Sequence, residues 1–170
     1  MTHTIYLVRH GIADDAEAGV RDADRALTTD GKHKLKQIAA GLKVLGIAPA
    51  VILASPLRRT RETADVLQAA LNPPLGVELC AVLAPGHPAT EVVAELRPYH
   101  DRAEVVLVGH QPDMGELASQ LLTGSPHQVP LPFRKGSVAA IAVGALSANA
   151  RGELLWFLTP KQLRAIGTGA

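Results

Sequence analysis

The chain has 170 residues, enough for a single domain over residues 1–170 with a substantial core and too few for two. A formal net charge of +1 with 19% charged residues excludes the global basic field of a nucleic-acid or anionic-membrane binder, so any anion chemistry must be local. An aliphatic core follows from 47% hydrophobic but only 3% aromatic residues, which argues against base-stacking platforms, and a single cysteine excludes an internal disulfide or a multi-thiolate zinc site.

In chain order, "TIYLV" is a short β-rich run, and the polar, Asp-rich "GIADDAEAGVRDADRALTTDG" reads as a loop. In "TTDGKHKLKQIAAGLKVLG", Leu35, Ile38, Ala39, Leu42 and Leu45 recur at three- and four-residue spacings, which predicts an amphipathic helix closed by Gly46. "AVILAS" is a second apolar run; Ser55 and Pro56 after it read as N-cap and first position of a helix over "LRRTRETADVLQAAL" that ends at "NPP". Cys80, at the end of a possible strand "GVELC", reads as a small buried residue, with no arginine near it to make a phosphate-binding thiolate. "ATEVVAELRPY" predicts a brief helix, "AEVVLVGH" a third apolar run and "QPDMGELASQLL" another helix. "SVAAIAV" and "GELLWFL" predict a closing hairpin, with "AIGTGA" a frayed end. Strand-like runs alternating with helices predict an α/β domain whose mostly parallel sheet is covered on both faces.

Three of the apolar runs end in "RHG", "ASPLRR" and "VGHQP". Ligands of open parallel sheets bind beyond the carboxyl ends of the strands. One cluster at that edge, made of Arg9, His10, Ser55, Arg59 and His110, accounts for all three polar endings. Arg58, Arg59 and Arg61 lie in the first turns of a helix, where the dipole disfavours cations by a few tenths to ~1 kcal/mol each. A bound anion answers that cost, since helix amides and guanidiniums together favour phosphate; for Arg58 and Arg61, a solvated surface is the equal alternative.

"LVRHG", "SPLRRTRETA" and "VLVGHQP", in this order, resemble the histidine phosphatase superfamily, which includes the cofactor-dependent phosphoglycerate mutases. The short chain and "RALTTDG" are similar to its SixA-type phosphohistidine phosphatases. The resemblance runs from Tyr6 to about Phe157. It implies a three-layer α/β/α sandwich of the phosphoglycerate mutase type. It makes His10 the nucleophile, Arg9 its phosphate-binding neighbour, and His110 the second site histidine. The family spacing selects Arg59 and Thr63, rather than Arg58. Arg25 matches an arginine at the pocket edge, with Arg21 close enough to compete. Ser55, Gly11 and Gln111 complete the substrate-binding set, with Ser137 a further rim candidate.

The implied chemistry is attack of a neutral imidazole on phosphorus, a covalent phosphohistidine intermediate, and later hydrolysis by water. Flanking guanidiniums are expected to keep His10 unprotonated, while its other nitrogen donates to a carbonyl. No metal and no cofactor are implied, because Arg9, Arg59 and His110 neutralise the phosphoryl oxygens. A cation bound by His10 and His110 would be repelled by the same arginines.

One departure concerns the carboxylic acid that many relatives use after the third strand. In "CAVLAPGHPATE" no acid precedes Glu91, and Val82 or a neighbour holds the place. Alkoxide leaving groups need such an acid, whereas imidazole leaves well without one. The expected substrate is therefore phosphohistidine on a protein such as a histidine phosphotransfer domain, suited to a shallow cleft. The alternatives are a small phosphate ester, with Glu91 or Glu78 as the acid, and a non-catalytic phosphate-binding adaptor. Mutase activity is the least expected, for want of enclosing insertions. The absence of a leader pattern or membrane-length run predicts a soluble, cytoplasmic, monomeric protein without nucleic-acid or membrane partners. His3, His33, His87, His100 and His127 read as surface residues, Asp14 and Asp15 as loop solvation, and Trp156 as core.

Overall fold

A computed structural model describes residues 2–16, 18–147, 149 and 151–169. Its strands are β1 (His3–Arg9), β2 (Val51–Ala54), β3 (Val77–Leu79), β4 (Glu104–Gly109), β5 (Val138–Val143) and β6 (Glu153–Leu158). They form one sheet in the order β3-β2-β4-β1-β5-β6. β1, β2, β3 and β4 pair in parallel, and β5 is antiparallel to both β1 and β6, so only β5 runs against the rest. The helices are α1 (Thr29–Val44), α2 (Arg58–Leu71), α3 (Ala89–Glu95), α4 (Asp113–Thr123) and α5 (Pro160–Thr168).

The period-two alternation of each strand divides the core. Ile5, Leu7, Leu53, Val105 and Leu107 face α3 and α4, meeting Val92, Val93, Met114 and Leu117. Tyr6, Val8, Ile52, Val106 and Val108 face α1, α2 and α5, meeting Leu35, Ile38, Leu42, Leu67 and Leu163. A sheet buried on both faces between helices is the three-layer sandwich expected from the apolar runs.

The last helix corrects the expectation of a frayed end. Thr159 caps α5 by accepting from the Gln162 amide, while the Gln162 side chain accepts from the Thr159 amide. Leu163 is fully buried. α5 lies so close along α1 that a Cβ on Gly41 would collide with the Leu163 carbonyl, and one on Gly167 with the Gln37 carbonyl. Gly41→Ala is expected to lower stability by about 1–3 kcal/mol despite alanine's better helix propensity, as urea unfolding would measure.

A second correction concerns the start of α2. The helix begins at Arg58 with Leu57 at the N-cap and no side-chain cap. Ser55 is the residue just after β2, fully buried; its hydroxyl oxygen accepts from the Leu57 amide at 3.4 Å and lies 2.8 Å from His110 Nε2. Among the histidines, His3 is buried rather than exposed, its Nδ1 2.8 Å from the Arg102 carbonyl. Cys80 is only half-buried, packed against the core. Trp156 packs half-buried on Tyr6, ring centroids 5.9 Å apart.

β1 and β4 are neighbours, yet β1 leads into α1 on one face and β4 into α4 on the other. This is the switch point at which open α/β sheets bind ligands. Arg9 pairs with Gly109, and the His10 amide donates to the Gly109 carbonyl at 3.0 Å. His10 and His110 therefore leave the sheet side by side. A Cβ at Gly109 would lie 2.7 Å from Met114 Cε, so a side chain there would have to displace the end of that methionine.

Candidate active site

At that edge lies a solvent-open cleft of about 800 Å³, lined by Arg9, His10, Arg25, Arg59, His110 and Gln111 among others. The rings of His10 and His110 lie 5.4 Å apart. His10 is 6% exposed, and its Nδ1 lies 2.7 Å from the Gly11 carbonyl. Only a protonated Nδ1 can make that bond, so the neutral ring keeps its lone pair on Nε2. His110 Nε2 lies 2.8 Å from Ser55 Oγ, and its Nδ1 lies 3.5 Å from an Arg59 amino group.

Arg59 reaches the cleft from the first turn of α2, buried but for its tip. It donates to the Asp22 carbonyl at 2.8 Å and to the Asp22 carboxylate at 3.0 Å. Arg25 donates to the other Asp22 oxygen at 2.9 Å and to the Asp14 carbonyl at 2.8 Å. The long loop after β1 is folded back to place these groups. Ala13 pairs with Leu27, the Thr28 amide donates to the Ile12 carbonyl, and the Leu27 amide donates to Glu62 of α2. Arg9 donates to the Phe133 carbonyl at 2.7 Å. The Nε atoms of Arg9 and Arg59 and the Gln111 Oε1 are buried without a protein partner.

Four of the expected residues stand behind the cleft. Gly11 does not line it; its amide donates to Thr63 Oγ1 at 3.1 Å and its carbonyl faces His10. Ser55 is sealed off and reaches the cleft only through His110. Thr63 Oγ1 in turn donates to the Arg59 carbonyl at 2.7 Å within α2, so the Gly11 bond ties the β1 exit to that helix. Ser137 is buried and holds the Arg134 amide. Arg58 is exposed and pairs with Glu62 at 2.9 Å, so it takes the solvated alternative, and Arg61 is exposed as well. Glu78 receives a hydrogen bond from Tyr99, and Glu91 pairs with His87; neither carboxylate lines the cleft.

Sequence reasoning missed Asp22, His87, Asp113, Glu116 and Lys135, which all line the cleft. Asp22 sits three residues before Arg25, the one signal available. Asp113 directly follows the strand ending "VGHQP" and Glu116 lies one turn further along α4, whereas His87 and Lys135 come from segments with no strand end before them. The Arg25 and Arg59 hydrogen bonds hold the Asp22 carboxyl below the usual range, while burial pushes Asp113 up.

His10 is pushed down to about 3, first by burial and then by the charges of His110, Arg59 and Arg9. His110 falls to about 4, by burial and then Arg59. Burial, more than the expected guanidiniums, keeps both rings neutral. The unfolded chain takes up protons near the ordinary value of 6.5, well before these buried rings do. Their contribution to stability is full above that pH and is lost as pH falls toward 4 and then 3. The urea midpoint is expected to drop between pH 7 and pH 4, and to drop less in His10→Ala.

A sheet switch point carrying two histidines among three arginines makes a cleft suited to an anion. The model of the histidine phosphatase superfamily (branch 1) matches residues 5–83. An uncharacterised protein of Picosynechococcus sp. is 37% identical over 164 residues, covering 94% of this chain and 98% of its own. The chain belongs to the histidine phosphatase superfamily and is a phosphatase.

Within the superfamily it is of the SixA type. The structure of the protein histidine phosphatase SixA complexed with tungstate superposes with a TM-score of 0.81 at 27% identity, covering 94% of this chain and 99% of the other. A putative phosphohistidine phosphatase SixA from Nakamurella multipartitia matches at 0.77 and 28% identity, over 94% and 97% of the two chains. The corresponding putative enzyme of Agrobacterium tumefaciens matches at 0.77 and 26%, over 93% and 98%.

Proposed function

We propose that the protein removes the phosphoryl group from phosphohistidine on a protein, through transient phosphorylation of His10. The observation that carries this reading is the 2.7 Å contact between His10 Nδ1 and the Gly11 carbonyl, which leaves the Nε2 lone pair at the foot of an arginine-lined cleft. Nε2 attacks phosphorus in line as the substrate's N–P bond breaks, and the departing imidazole nitrogen takes its proton from water. Water then attacks the phosphorus on His10, releases inorganic phosphate and returns the lone pair to Nε2. Arg9, Arg25 and Arg59 face the phosphoryl oxygens, where charge gathers in the transition state. The arriving dianion offsets the burial and the Arg59 and Arg9 charges that keep His110 neutral. The ring then takes a proton on Nδ1 and donates it to a phosphoryl oxygen, while Ser55 holds Nε2.

Substrate choice rests on the leaving group. Asp22 is held ionised by two arginines and makes a poor acid, and Glu78 and Glu91 lie outside the cleft. Imidazole needs no strong acid to leave. Asp113 favours a second reading: it lines the cleft with its carboxyl pushed up by burial, the direction of a proton donor for an ester oxygen.

Purified enzyme, treated with a chelator, is expected to clear label from a histidine-phosphorylated phosphotransfer domain at undiminished rate and to leave a phosphoserine peptide intact. Equal rates on both, with Asp113→Asn slowing only the ester, would establish the second reading instead.

A further inference from the structure

Behind the β1 exit, on the α1/α5 face, lies a second hollow of about 190 Å³. Leu35 and Ile38 form its apolar floor, and Lys34, Lys135, Lys161 and Arg164 stand around it; no acid lines it among the described residues. Lys34 is paired with Asp30 at 2.6 Å. Among the described residues, Lys135 and Lys161 pair with no carboxylate, and Arg164 donates to the neutral Gln37 at 2.8 Å. Three cations thus gather uncompensated on a chain whose net charge is only +1.

The hollow adjoins the active site. Lys135 lines both, and Gly11, in the wall of the hollow, directly follows His10 in the wall of the cleft. Its volume is below the ~300–1,000 Å³ of small-molecule sites and suits one apolar side chain. An apolar seat inside a cationic rim selects an apolar residue flanked by acids.

We propose that this hollow is a second docking point for the phosphoprotein substrate. An acidic segment of that protein, bearing one apolar side chain, seats here while its phosphorylated side chain enters the cleft. The inference rests on the protein-substrate reading above and assigns the partner's chemistry beside the phosphoryl group.

The test compares a histidine-phosphorylated phosphotransfer domain with potassium phosphoramidate, which reaches the cleft but has nothing to dock. Lys161→Glu reverses an exposed charge in the first turn of α5, where an acid suits the helix dipole. It is expected to lower kcat/KM on the phosphoprotein by roughly three- to tenfold. Lys161→Glu with Arg164→Gln should lower it further and flatten its dependence on salt. Turnover of phosphoramidate should not change in either variant, which also certifies the fold.

Equal effects on both substrates, or no effect on the phosphoprotein, would overturn the docking point and leave the phosphatase reading standing. So would unchanged phosphoprotein kinetics accompanied by lost binding to phosphatidylserine vesicles, which would make the patch a lipid contact. A wild type inactive on both phosphoramidates would overturn the phosphohistidine reading, and the docking point with it.

Discussion

Replacing His10 with alanine is expected to lower phosphatase turnover by at least about a thousandfold on every substrate, because the reaction loses the atom that accepts phosphorus. The fold should survive. The side chain makes one hydrogen bond, to the adjacent Gly11 carbonyl, and the backbone amide that holds the register with Gly109 is unchanged. Rapid acid-free quenching of wild type with radiolabelled substrate should trap a phosphoryl label that is stable in base and lost in acid, as a phosphoimidazole is, and His10→Ala should trap none. Residual activity within tenfold of wild type, or label retained by the variant, would show that the cleft works by direct attack of water. The arginines would then hold the substrate while His10 only shapes the floor.

The same residue shows why so much of the site was legible from the chain. Buried strands of a parallel sheet are near-continuous apolar runs, so the residue that ends each run marks the sheet's edge. His10, Ser55 and His110 each stand one residue beyond a strand. That logic locates residues at the edge without saying which way they face. Ser55 ends β2, yet its hydroxyl points back at His110 behind the cleft. Gly11 follows His10, yet its backbone is used inside by Thr63 and His10.

What stayed hidden came from long-range folding of irregular chain. Asp22 reaches Arg59 across 37 positions only because the Ala13–Leu27 bridge closes the loop between them. Lys135 enters the cleft from the turn before β5, and Asp113 from the first residue of α4. The α5 helix was missed for another reason. It is only nine residues long and its one fully buried side chain is Leu163, with a glycine-to-backbone approach to α1 supplying much of the contact.

Removing the guanidinium of Arg59 tests the electrostatics rather than the nucleophile. Arg59→Ala is expected to lower kcat/KM by about 10²–10³-fold, the usual cost of one preorganised donor to developing charge. Arg59→Lys should recover only part of this. One ammonium cannot hold the Asp22 carbonyl and carboxylate in a planar fork and still face a phosphoryl oxygen.

The pH profile separates this role from mere scaffolding. The positive charge of Arg59 lowers both histidines, and for His110 it ranks next after burial. Without it, His10 loses one of the charges that add to burial in lowering it, so that ring takes up a proton at higher pH. The acid limb of kcat/KM in Arg59→Ala should therefore move upward from its wild-type position. The movement should be modest, because burial lowers His10 more than Arg59 does, and protonation of His110, which the reaction uses, costs no activity. A variant that lost activity with no displacement of the acid limb would place Arg59 outside the field of the two rings, contrary to its 3.5 Å approach to His110.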